Sequence, residues 1–159
     1  MENEKKMTIA ECQVETMKHI ETVRRYIKVC TDELTERGIE HDRLKMESPE
    51  VEVFAEYTPK LADSTYGSEE YKEFLKGMSA AVEHHYAHYR HHPEHFANGM
   101  QDMTLVDIVE LLCDWKAASL RHNDGDLLRS IEVNQKRFGY DDQLKQLLIN
   151  TAKWFEEIK

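Results

Sequence analysis

Glycine and proline are scarce, six and three in 159 residues, so the chain has few of the breakers that punctuate loop-rich or all-β folds. Its three cysteines, Cys12, Cys30 and Cys113, form no CxxC pair and leave an odd count. That argues against a zinc finger or a disulfide framework. Each cysteine lies in an apolar helical context, where a buried free thiol in a reducing compartment is expected. No apolar run approaches the ~20 residues that cross a bilayer, and MENEKKMTIAE is charged without the apolar centre of a signal peptide. A cytoplasmic protein with no membrane partner is the expectation. A net charge of −10 leaves no clustered cations for duplex nucleic acid. It does not exclude a small anion held by a metal and a few local cations. Phosphate-cradling glycine loops, Ser-His-Asp nucleophile elbows and dinucleotide fingerprints are also missing, as are internal repeats.

What remains is dominated by helical periodicity, and the length suits a single domain. Thr16, Ile20, Val23, Ile27, Cys30 and Leu34 fall on one stripe at 3.6-residue spacing, which predicts a helix from about Thr8 to Arg37 with Gly38 as its stop. Ser48-Pro49-Glu50 reads as a helix start, and residues 57–67 read as a loop. Ser68 opens a further helix that carries Tyr71, Phe74 and Met78 into the histidine-rich stretch, where Pro93 ends or kinks it. Thr104 and Asp107 suggest a capping box before the most apolar helix, TLVDIVELLCDWKAASLRH. Two amphipathic segments follow, separated by Gly139. The fold class is all-α, a single-domain helical bundle with residues 1–7 as a flexible tail.

The conspicuous surplus is histidine: EHHYAHYRHHPEHF, residues 83–96, holds six of the nine. Three other features join it. One is HDRLK, with His41, Asp42 and Lys45; another is His19 on the first helix; the third is Asp114 inside the apolar ELLCDW. A carboxylate there is costly unless a cation or a histidine pairs with it. If the helix continues through the cluster, His84, His88 and His91 share one face, and His85, His88 and His92 a neighbouring one. His85 and His92 are favoured as ligands, with His84 next, and His95 is placed at the mouth of the site. Arg90, Arg121 and His122 are candidate phosphate contacts, because a dianion on an acidic protein needs local cations. Asp107, Glu110 and Glu94 are candidates to hold imidazole N–H groups. Imidazole with carboxylate suits one or two Mn, Fe, Co, Ni or Zn ions, whereas Mg prefers oxygen alone.

The order His, His-Asp, His-rich segment, Asp on successive helices resembles the HD-domain superfamily of metal-dependent phosphohydrolases. Matched residue by residue, the first His is His19, the pair is His41-Asp42 and the late Asp is Asp114. HDRLK is similar to the HDxxK form found in part of that superfamily, which brings in Lys45. The resemblance implies an HD-like bundle in which His19, His41, Asp42 and Asp114 hold a divalent ion and Asp42 bridges to a second. The histidines between, His84, His85 and His92, meet that second ion or the substrate phosphate, and Lys45 and His92 assist catalysis. HHPEHF, MTLVDIVELLCDWKAAS and RHNDGD also resemble the signature stretches of a small phage and bacterial family catalogued only as a domain of unknown function. It implies a bacterial or infected-cell setting and no particular reaction.

The expected function is hydrolysis of a nucleotide or another small phosphorylated metabolite. Two alternatives stand beside it: a di-iron oxygenase of HD type, and a non-catalytic module that binds a nucleotide or a protein. The histidine stretch also has a purely structural reading, as a polar network or pH switch. A homodimer through the C-terminal helix with Trp154 and Phe155 is a further expectation.

Overall fold

A computed structural model describes residues 7–64, 68–121 and 125–158. Among them there are seven α-helices and no strand, so the protein is all-α. The helices are α1 (Ile9–Glu40), α2 (Glu50–Asp63), α3 (Glu69–Gly77), α4 (Ser79–His88), α5 (Leu105–Ser119), α6 (Leu127–Phe138) and α7 (Asp142–Glu157). Short 3-10 turns lie at Arg43–Met46, Pro93–His95 and Gly99–Asp102. The chain divides into two compact units, Met1–Ile39 and Glu40–Lys159.

The first unit is α1. Pairs such as Lys18–Glu15 at 2.7 Å and Lys28–Asp32 at 2.8 Å lace its surface at helical spacing. Gly38 does not stop it, contrary to expectation; α1 continues to Glu40. The left-handed position that commonly ends a helix is filled instead by Asp42, at φ 55°. Asp tolerates that conformation better than most side chains. None of the described residues of α1 is buried, so Cys12 and Cys30 are exposed, as is Cys113 on α5. The expectation of buried thiols is therefore corrected: all three cysteines are exposed.

The second unit has an apolar end and a polar end. At the apolar end, Leu112, Leu127, Ile131, Tyr140, Leu148 and Ala152 form one buried cluster from α5, α6 and α7. Asp126 caps α6 by accepting from the N–H groups of Leu128 and Arg129, and Asp141 caps α7. Gly139, at φ 70°, makes the left-handed turn between them, a backbone state that costs glycine nothing.

Residues 57–63, expected as loop, are the second half of α2 despite Pro59; 65–67 lie outside the described residues. Packing overrides the local signal. The Tyr57 ring meets Phe74 at 6.3 Å between centroids and lies so close to Gly77 that a Cβ there would sit 2.5 Å from its hydroxyl. The expected helix after Ser68 is two helices, broken at the buried Met78. The second ends at His88, before Pro93 is reached. No helix among the described residues is long and apolar enough to cross a membrane.

Candidate metal centre

Five short segments of the second unit build the polar end. His41 and Asp42 follow α1, Glu50 begins α2, His84 and His85 end α4, and Glu110 and Asp114 lie one turn apart on α5. His91 and His92 come from none of these helices. After His88 the chain turns extended at Tyr89 (φ −108°, ψ 117°) and again at His92 (φ −99°, ψ 125°), the conformation that a following proline imposes. The face-sharing expected from a continuous helix is thus corrected. His91 and His92 are delivered by a stretch that doubles back toward α4, with the Tyr89 hydroxyl pinned by the Leu44 N–H at 2.7 Å.

Two buried or nearly buried carboxylates set the imidazoles. Glu50 is 0% exposed and accepts from His84 Nδ1 at 2.8 Å and His85 Nδ1 at 2.9 Å. Glu110 Oε1 accepts from His41 Nδ1 at 2.9 Å and lies 3.0 Å from His91 Nδ1. The second distance is that of an ion pair without hydrogen-bond alignment, since His91 Nδ1 has no hydrogen-bond partner. A neutral ring that donates from Nδ1 presents the Nε2 lone pair on its other side.

Those Nε2 atoms converge. His85 Nε2 is 3.1 Å from Asp42 Oδ1 and 3.0 Å from His92 Nε2. His91 Nε2 is 3.6 Å from Asp42 Oδ1. His41 Nε2 is 3.8 Å from Asp42 Oδ2 and 3.6 Å from Asp114 Oδ1. Asp42, His85, His91 and His92 form one set with all ligand atoms within 4.8 Å, and His41, Asp42 and Asp114 form another. Asp42 belongs to both. Ligand atoms around one transition-metal ion, at about 2.1 Å each, lie roughly 3–4 Å apart, and the 3.0–3.8 Å separations above are of that size, so either set could hold an ion.

The electrostatics carry the same message. Two imidazole nitrogens at 3.0 Å need a proton or a cation between them, and so does a lone pair facing a carboxylate. Asp42 Oδ1 and His91 Nε2 are buried without a hydrogen-bond partner, an arrangement that protein side chains alone leave unbalanced. With no ion, protons must fill the gap. Hydrogen bonding to Asp114 and then Glu110 raises His41 to about 10. Burial, with like charge from His91 and His85, lowers His92 to about 3. Burial works against ionised Asp42, but His85 and Lys45 overcome it and hold the carboxyl far below its usual range. Burial likewise opposes ionised Glu110, and the His41 and His91 rings bring it down to about 2.

Lys45 Nζ bonds Asp42 Oδ2 at 2.7 Å and sits 5.3 Å from the centre of the Phe54 ring. Of the expected ligands, His41, Asp42, His85, His92 and Asp114 are brought together. His84 stands one layer behind, on Glu50 and against His88 at 4.3 Å. His19 belongs to the other unit, exposed on α1. Arg90 is engaged by the fully buried Asp107, two parallel bonds of 3.0 Å, and that same Asp107 closes the capping box with Thr104. Glu94 pairs with Arg137, so of the three proposed imidazole supports only Glu110 is seen against a ring. His95 Nδ1 donates to the Tyr86 carbonyl at 2.9 Å. Arg121 is exposed beyond α5, and His122 lies outside the described residues.

Two residues of the site were not singled out from sequence. His91, 0% exposed, was visible as half of an HH pair but assigned to another helix face. Glu50 looked like an ordinary acidic residue in a first helical turn, and nothing local marked it.

The model of the family of unknown function DUF5662 matches residues 8–159, and the chain belongs to that family. No curated protein and no solved structure gives a significant match.

Proposed function

We propose that the chain is a metal-dependent phosphohydrolase of HD type, acting on a nucleotide or another small phosphorylated metabolite. The observation that carries this reading is the convergence of four imidazole Nε2 atoms on the carboxylates of Asp42 and Asp114, with Asp42 Oδ1 and His91 Nε2 buried and unpaired. Residue order adds to it, because a His-Asp pair followed by a late Asp is the HD pattern. The nitrogen-rich donor set fits Mn, Fe, Co, Ni or Zn better than Mg.

His85, His91 and His92 with Asp42 would hold one ion, and His41 with Asp114 and the shared Asp42 a second. Such an ion supplies charge neutralisation at a phosphoryl group and an acidified water. The chain's own residues do the rest. Glu50 and Glu110 fix the rings so that Nε2 faces inward. Lys45, on the outer side of Asp42, meets a non-bridging phosphate oxygen. His92, held neutral by burial, keeps its lone pair available.

The test is elemental mass spectrometry on protein purified without a polyhistidine tag, beside Asp42→Ala/Asp114→Ala. About one or two transition-metal equivalents, lost in the double variant together with hydrolysis of phosphomonoesters, are expected. Iron with oxygen consumption and no hydrolysis would transfer the site to the oxygenase reading, which the same nitrogen-rich set would also suit. No metal in either protein after reconstitution with Mn, Fe or Zn would make the cluster a structural network.

A further inference from the structure

Beside the donor cluster, on the side of His92 and Asp114, opens a cleft of about 410 Å³, within the range of small-molecule sites. Tyr86 and Trp115 contribute aromatic surface, and α6 contributes Ser130, Asn134 and Arg137. The charges of this cleft are already committed. Arg137 is the one Arg or Lys among its described lining residues, and Glu94 holds its guanidinium. Asp126 accepts from the first N–H groups of α6, and Asp114 faces His41. Counting the side chains away from the donor cluster, the one cation, Arg137, meets two carboxylates, Glu94 and Asp126. Away from the donor cluster, an incoming anion would find no uncommitted cation among the described side chains and would lie against carboxylate oxygens, which costs it solvation without return. An ammonium or an uncharged ring meets aromatic faces and the Asn134 amide, which bonds to no other described side chain.

We propose that this cleft binds the organic half of the substrate, and that it accepts an uncharged or ammonium-bearing ring while rejecting a second anionic group. The substrate class is therefore a phosphomonoester of a neutral or cationic alcohol, with its single phosphate at the donor cluster and Lys45. Nucleoside polyphosphates and sugar bisphosphates are excluded by charge. The assignment to an ester's organic half rests on the phosphohydrolase reading; the charge preference of the cleft does not.

The binding test uses benzylamine and benzoate, equal in ring and opposite in charge, titrated against Trp115 fluorescence in a Trp154→Phe background. Benzylamine is expected to bind about tenfold or more tightly than benzoate. Ala118→Phe, at an exposed residue of the cleft wall, fills the space and should abolish the benzylamine response while metal content stays unchanged. Glu94→Gln releases Arg137 and should narrow the preference by raising benzoate affinity. Equal affinities, a benzoate preference, no response to benzylamine, or a response that survives Ala118→Phe would overturn the proposal. Benzylamine binding in a protein that takes up no metal would keep the cleft and remove the hydrolase. A metal-loaded hydrolase that turns over 4-carboxyphenyl phosphate as well as 4-(aminomethyl)phenyl phosphate would do the reverse.

Discussion

On one side of α5, Leu112 joins Leu127, Ile131, Tyr140, Leu148 and Ala152 in one buried, largely apolar cluster. Two residues to either side on the same helix, and so on a different face, Glu110 and Asp114 meet a group of imidazoles and carboxylates whose lone pairs point at each other. The first region is complete as it stands: apolar area leaves water and nothing further is required. The second is balanced only by added protons or by a cation. Stability and chemistry are thus segregated along a single helix, and a substitution should move one without the other.

The largest effect that would expose this segregation is expected at Ile131, which is 0% exposed at the centre of the apolar cluster. Ile131→Ala should cost about 2–5 kcal/mol of unfolding free energy, read from denaturant titration, with metal bound per folded molecule unaltered. A parallel loss of metal would mean that the two ends are mechanically coupled and would break the contrast. Next in size is the converse change. Glu110→Gln keeps an accepting oxygen for His41 but removes the charge that faces both the His41 and His91 rings. Losing such support typically weakens metal binding by about 10–100-fold, measurable by competition with a chromophoric chelator. The midpoint of apo-protein unfolding should move far less than it does in Ile131→Ala.

The same contrast governs what was legible before the structure. Caps and periodicity depend on residues close in sequence, so the all-α class, the Ser68 cap and the Thr104–Asp107 capping box were readable. His85 and His92 were also legible because an unusual density of ligating side chains marks itself, and His41, Asp42 and Asp114 because their order resembles the HD pattern. His91 was missed for a physical reason: the chain leaves α4 at Tyr89, four residues before the proline that was expected to end it. Glu50 is 34 residues from His84 in sequence, and its role exists only once α2 packs on α4. Pro59 within α2 and the exposed cysteines are likewise tertiary outcomes that local pattern cannot encode. Residues 65–67 and 122–124, including His122, lie outside this comparison.

The smallest effect belongs to the one polar group inside the apolar region, and it sharpens the contrast by testing whether that region responds to pH at all. Tyr140 is 7% exposed, its hydroxyl donates to the Ile131 carbonyl, and burial raises its pKa to about 12, above the usual phenol value of about 10. Because the folded state holds the phenolic proton more tightly, the stabilisation is fully present below about pH 10. It is lost as pH rises toward 12, at roughly 1.4 kcal/mol per pH unit. Tyr140→Phe has no such proton. At neutral pH the wild type should be more stable by about 1 kcal/mol, the worth of one buried hydrogen bond. Between pH 10 and 12 the gap should close and then reverse, with the crossing near pH 11 as about 1 kcal/mol is consumed. Equilibrium unfolding of both proteins from pH 8 to 12 reads this directly. A gap that stays constant throughout would mean that Tyr140 ionises as readily folded as unfolded, and that water reaches the apolar cluster.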